Sequence, residues 1–194
     1  MTLTKLISID EFKKLVGEVE SERDKIAIQL LFSTGMRVEE LVTTKLEDVD
    51  TVESIIHIHA TRTKTRQYRE VVVLESMMPD LKRWIEGMSE GAIWLFPGRD
   101  PSRHISQRWI RMVIDKAARQ AGIQRSYDTS RDGRVLNIVS PHSLRHAHAV
   151  AALDAGIPLN DLQQQLGHAS IGTTGIYLRA GINHRKSSYQ KMSI

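Results

Sequence analysis

Hydrophobic spacing along the chain switches between a helical and a strand-like period, and the switches divide it into elements. Ser8-Ile9-Asp10-Glu11 has the spacing of a capping box and predicts a helix with Phe12, Leu15, Val16 and Val19 on one side. Ser21 caps a second helix through Ile26, Leu30 and Leu31, which Gly35 ends or bends. Residues 38–46 read as a third helical piece, with Leu41 and Val42 facing inward. The period then shortens to two. SIIHIHA (54–60) and REVVVL (69–74) are β-branched and flank a basic, threonine-rich turn, which predicts a β-hairpin. Helical spacing returns at 79–88, through Leu81, Trp84, Ile85 and Met88, and at 106–121, stopped by Gly122. Residues 124–134 read as a polar loop, followed by a short strand through 136–139. Pro141 opens a helix that runs to Ala155 and closes at Gly156, and Pro158 opens a short one ending at Leu166. The predicted fold class is α+β, mainly helical with a small antiparallel sheet.

Composition narrows the class. The 194 residues are 41% hydrophobic and 26% charged, which fits a globular chain and argues against disorder. No apolar run approaches the roughly 18 residues of a membrane span, and the charged start MTLTKLISIDEFKK is unlike a secretory signal. With no cysteine there is no disulfide or thiolate metal site, and a cytoplasmic location is expected. The net charge of +4 permits a nucleic-acid partner without demanding one. Its distribution is uneven. Basic residues gather at 62–69, 99–111, 125–134 and 179–191, while acids crowd the first fifty positions.

Four constellations carry candidate chemistry. In SPHSLRHAHA (140–149), His142 and Arg145 are three apart, so on a helix they share a face and can address one phosphate together. A capped helix start with solvated histidines explains this stretch equally well. His142 and His146 also have a spacing used by zinc enzymes, with His168 a further candidate. The carboxylate of an H-E-x-x-H pattern is missing, however, and Arg145 would repel a cation, so neither metal nor cofactor is expected. In FSTGMRVEEL (32–41), Arg37 follows a glycine turn and opens a helical segment, and Glu40 can orient it; the bland alternative is a surface ion pair worth little. The hairpin turn ATRTKTRQYRE (60–70) carries Lys64 near its tip, where a solvated charge run is the commoner reading. In LGHASIGTTGIY (166–177), Gly167 breaks a helix and presents His168 on a turn, and Ser170 can cap a short helix carrying Tyr177. A phenol is a poor nucleophile until cations stabilise its anion.

Taken in order, TGMRVEEL, the lysine of TKTRQYREVVVL, PHSLRHAHA and LGHASIGTTGIY resemble the catalytic domain of tyrosine recombinases, the phage-integrase and Xer-like family. The resemblance covers nearly the whole chain and includes the nine-residue step from His168 to Tyr177. It implies a site-specific DNA recombinase that needs neither metal nor ATP. Tyr177 would attack a scissile phosphate and form a 3′-phosphotyrosyl link, and Arg37 and Arg145 would clamp the non-bridging oxygens. His168 would add a hydrogen bond to the phosphate. Lys64 would protonate the departing 5′ oxygen, and His142 would assist proton transfer at the tyrosine.

The resemblance further implies double-stranded DNA as partner, a homo-tetramer on DNA with a monomer when free, and no membrane association. It divides the chain into a catalytic domain, 1–177, and a tail, 178–194, that would dock on a neighbouring protomer. The family's usual separate amino-terminal DNA-binding domain is expected to be absent, as in the similar fimbrial phase-variation invertases. Arg62 and Arg66 flank Lys64 and compete with it for the hairpin role. His148 occupies a position that is usually aromatic or apolar in the family and is read as packing. Type IB topoisomerases share the Arg, Lys, Arg, His and Tyr set and form one alternative. A DNA-binding regulator without catalysis is a second, and a metallohydrolase a distant third.

Overall fold

A computed structural model describes residues 7–60, 68–129 and 135–167. Among these residues, seven α-helices and five short strands run in the order α1 (Ile9–Gly17), α2 (Glu22–Thr34), α3 (Val38–Val42), β1 (Val49–Asp50), β2 (Ile55–Ile58), β3 (Arg69–Val72), α4 (Met78–Glu86), α5 (Gln107–Gln120), β4 (Ser126–Thr129), β5 (Val135–Asn137), α6 (Pro141–Asp154) and α7 (Leu159–Leu166). The expected class holds: a mainly helical α+β domain with a small antiparallel sheet. Among the described residues, no helix is long and apolar enough to cross a membrane.

Helix α2 is the hub. Its Ile26, Ala27, Ile28, Leu30 and Leu31 are all buried, and α1, α4, α5 and α6 pack around it. Local signals set its ends. The Ser21 hydroxyl accepts from the Asp24 N–H, and Gly35 terminates the helix with φ +64°. Ser8 and Glu11 close the capping box at α1 from both sides. A second apolar cluster joins Ala149, Ala152 and Leu153 of α6 to Leu162 and Leu166 of α7.

The sheet runs β1-β2-β3, antiparallel throughout, with Ile58 opposite Arg69 and Ile55 opposite Val72. Three details depart from the sequence reading. Helix α3 stops at Val42 rather than near 46, because the chain turns to pair elsewhere: Leu46 N–H donates to Ile93 O and Leu95 N–H to Thr44 O. Strand β1 is only two residues long, too short for any period to announce it. The expected loop at 124–134 contains β4, which pairs with β5 through an irregular register between Ser126 and Asp128. The Gln124 side chain anchors that hairpin to the body, accepting from Val139 N–H and donating to Asp115 of α5.

Candidate functional site

The site forms where the turn after α2, the start of β3, the start of α6 and the end of α7 meet. Arg37 is the N-cap residue of α3, with extended backbone, and Glu40 one turn later receives it twice. The Glu40 carboxylate accepts the Arg37 backbone N–H at 2.7 Å and its Nη1 at 3.0 Å. This is no surface pair. The Glu40 side chain is 1% exposed, and Arg69 from β3 grips it with a two-pronged ion pair at 2.8 and 2.7 Å. Burial alone would push the Glu40 carboxyl up. The Arg69 fork, and then Arg37, more than reverse that and hold it below the usual carboxylate range.

Arg145 lies on the inner side of α6 and is buried. Its Nη1 donates to Gly35 O and its Nη2 to Leu166 O, both at 2.7 Å. His142, one turn before it, keeps an exposed edge and meets His146 through an Nε2–Nε2 hydrogen bond of 2.8 Å. Loss of water around the ring and the Arg145 charge push His142 below the ordinary histidine range. For His146, burial first, then His142 and Arg145, lower the pKa to about 4. Both rings are therefore neutral near pH 7, and the hydrogen bond requires one to donate and the other to accept. His148 faces the protein interior. Burial drives its pKa to about 4, partly opposed by a hydrogen bond with the Phe32 backbone, and its ring lies against Gly35.

These groups converge on the C-terminal end of α7. Three consecutive carbonyls there each receive an arginine: Gln165 O from Arg69 Nε at 3.3 Å, Leu166 O from Arg145, and Gly167 O from Arg37 Nη2 at 3.0 Å. A helix leaves its last carbonyls without helical partners and concentrates negative partial charge on them, so three cations are favourably placed. Gly167, with φ +63°, ends the helix in the left-handed conformation. A Cβ at this position would stand 2.9 Å from the Arg69 guanidinium. The Gln165 side chain adds a second tie, accepting from Val72 N–H and donating to Val72 O and Thr34 O.

Of the residues singled out from sequence, Arg37, His142 and Arg145 are brought to one locality, with Glu40 beside them. Lys64, His168, Tyr177, the flanking Arg62 and Arg66, and the tail 178–194 lie outside the described residues. By sequence, Lys64 belongs to the connection between Ile58 of β2 and Arg69 of β3, and His168 directly follows Gly167. Among the described residues, no group of three or more His, Asp or Glu side chains is arranged to hold a metal ion. Sequence reasoning passed over Arg69 and Gln165, which act across 29 and 93 positions, and weighed the four-residue spacing of His142 and His146 only as that of metal ligands, not as a ring-to-ring hydrogen bond. Chemically, the cluster offers two fixed guanidiniums, backed by a buried carboxylate and a neutral imidazole pair, which suits a tetrahedral oxyanion.

Residues 5–184 match the sequence profile of the phage integrase family. The tyrosine recombinase XerA of Pyrococcus horikoshii is 27% identical over 195 residues, covering 100% of this chain and 63% of the relative. XerC of Corynebacterium glutamicum is 33% identical over 178 residues, covering 90% of this chain and 52% of that protein. This chain thus spans less than two thirds of the length of these relatives. The crystal structure of a XerA recombinase superposes with a TM-score of 0.75 at 28% identity, over 97% of this chain and 64% of that one. A XerH recombinase bound to its difH substrate in a pre-cleavage complex shares the fold, with a TM-score of 0.70 at 22% identity over 90% of this chain and 50% of the other.

Proposed function

The chain belongs to the phage integrase family, and from that premise we propose that it is the catalytic part of a site-specific DNA recombinase working through a covalent phosphotyrosyl intermediate. The observation that carries this reading is the convergence of Arg37 and Arg145 on the adjacent carbonyls of Gly167 and Leu166, directly before His168. Two guanidiniums held at fixed positions can receive the non-bridging oxygens of a phosphodiester and stabilise the charge that builds on them in the pentacoordinate transition state.

The Tyr177 oxygen attacks phosphorus and the bond to the 5′ oxygen breaks, leaving a 3′-phosphotyrosyl link. The phenolic proton leaves toward His142, which is neutral near pH 7 and can accept it. Lys64 gives a proton to the departing 5′ oxygen, and His168 adds a hydrogen bond to the phosphate. The link conserves the phosphodiester bond energy, so a 5′ hydroxyl from another strand reverses the step without ATP. Double-stranded DNA is the partner, and four protomers assemble on it for exchange.

The test is covalent trapping on nicked duplex oligonucleotides in a buffer containing EDTA. A denaturation-resistant adduct is expected from the wild type and none from Tyr177→Phe, which still binds DNA. An adduct surviving in Tyr177→Phe overturns the nucleophile. Loss of the wild-type adduct in EDTA, restored by zinc or magnesium, overturns the metal-independent reading. Sequencing the trapped DNA identifies the target site.

A further inference from the structure

Glu40 poses an electrostatic question. A buried carboxylate one turn from Arg37 would be expected to neutralise it, yet the proposed reaction needs that guanidinium for a phosphate. The geometry supplies the answer. Both Glu40 oxygens are taken by the Arg69 fork, at 2.8 and 2.7 Å, while Arg37 reaches the carboxylate with Nη1 and keeps Nη2 directed at Gly167 O. Two guanidiniums facing one carboxylate leave the cluster with one net positive charge.

We propose that Arg69 is a positioning residue of the phosphate site: it balances the Glu40 carboxylate, so that Glu40 can hold Arg37 in place without cancelling its charge. The inference rests on the recombinase reading of Arg37. Three features support it. The Arg69 side chain is only 10% exposed and its guanidinium faces inward, so it is a built part of the cluster rather than a surface cation. Its Nε donates to Gln165 O and its planar head lies under Gly167, where a Cβ would stand 2.9 Å away. It therefore also supports the peptide that Arg37 addresses. Finally, Arg69 opens β3, which places it at the foot of the connection containing Lys64. One residue thereby joins the hairpin, the Arg37 turn and the end of α7.

Charge balance and mere packing make different forecasts. The cluster carries one net positive charge in the wild type, none in Arg69→Gln, two in Glu40→Gln, and one again in the double variant Glu40→Gln/Arg69→Gln. Two readouts are measured on the full chain: the rate of covalent adduct formation on the trapped DNA sequence, and the gain in Tm from inorganic phosphate against chloride at matched ionic strength. Arg69→Gln should slow adduct formation on the order of tenfold and lose the phosphate gain. The double variant should recover most of both. Arg69→Lys, which keeps the charge but not the fork, should keep the phosphate gain, and it carries the test if Arg69→Gln does not fold.

The inference is overturned if Arg69→Gln responds to phosphate like the wild type, or if the double variant remains as impaired as Arg69→Gln. A wild type that makes no adduct while the phosphate pattern holds overturns the recombinase reaction and leaves the anion site standing.

Discussion

Gly35 and His148 are in contact across α2 and α6 with no room for a methyl group between them: a Cβ on Gly35 would lie 2.5 Å from His148 Cδ2 and 2.7 Å from a Leu166 methyl. Gly35 also has φ +64°, and its carbonyl receives Arg145. The turn that introduces Arg37 is thus fixed by a residue with no side chain, wedged between a histidine and the end of α7.

Gly35→Ala is therefore expected to destabilise the fold by about 2 kcal/mol or more, from left-handed strain and the displaced His148 ring. Gly17→Ala is the control. Gly17 is the last residue of α1 and has nothing within 4 Å of its Cβ position, so alanine there should be neutral or stabilising by about 0.5–1 kcal/mol. Urea denaturation of both variants checks this. Equal stabilities would remove the steric account of the turn.

Stability should fall on mild acidification. His148 is 8% exposed and has its pKa lowered from 6.5 to about 4. Between these values the unfolded chain binds a proton that the folded chain refuses, so the stabilising contribution is present above pH 6.5 and drains away as pH falls toward 4. His148 alone should account for a loss of about 2 kcal/mol between pH 7 and pH 5. His146, lowered to about 4 but only half-buried, adds in the same direction. Denaturation at the two pH values, with His148→Phe as the non-titrating comparison, measures it; a variant with the full wild-type slope would assign the effect elsewhere.

The two arginines should separate stability from chemistry. Arg145 is 5% exposed and supplies two 2.7 Å bonds to the carbonyls of Gly35 and Leu166. Arg145→Gln cannot serve both, and it should cost about 3 kcal/mol of folding stability as well as activity. The Arg37 side chain is 31% exposed, and Glu40 keeps the Arg69 fork without it. Arg37→Gln should therefore cost only about 1 kcal/mol while DNA cleavage falls at least as far. Thermal melts and single-turnover trapping on both variants test the contrast, and equal destabilisation would contradict it.

Much of this arrangement was legible in the sequence because it is local. Ser8, Ser21 and Ser140 cap helices through contacts three residues away, and Arg37–Glu40 is the same kind of signal. Gly35, Gly122, Gly156 and Gly167 all end helices with positive φ, as their positions suggested. What could not be read is what spans the chain. The burial of Glu40 changes a weak surface pair into the centre of the site, yet nothing near residue 40 announces that Arg69 will reach it. The polar segment at 126–129 becomes a strand only because 135–137 lies beside it, a matter of backbone pairing and not of hydrophobic period.

The Gln165 amide has a consequence beyond the site. Among the described residues β3 is an edge strand of its sheet, and the outward-facing N–H and C=O of Val72 are both taken by that one side chain. A glutamine here imitates the peptide unit of a neighbouring strand. It takes up the two hydrogen-bonding groups that Val72, on an exposed sheet edge, would otherwise offer to a strand from another molecule. In a chain proposed to work crowded beside copies of itself, this point of the sheet margin is already occupied from within.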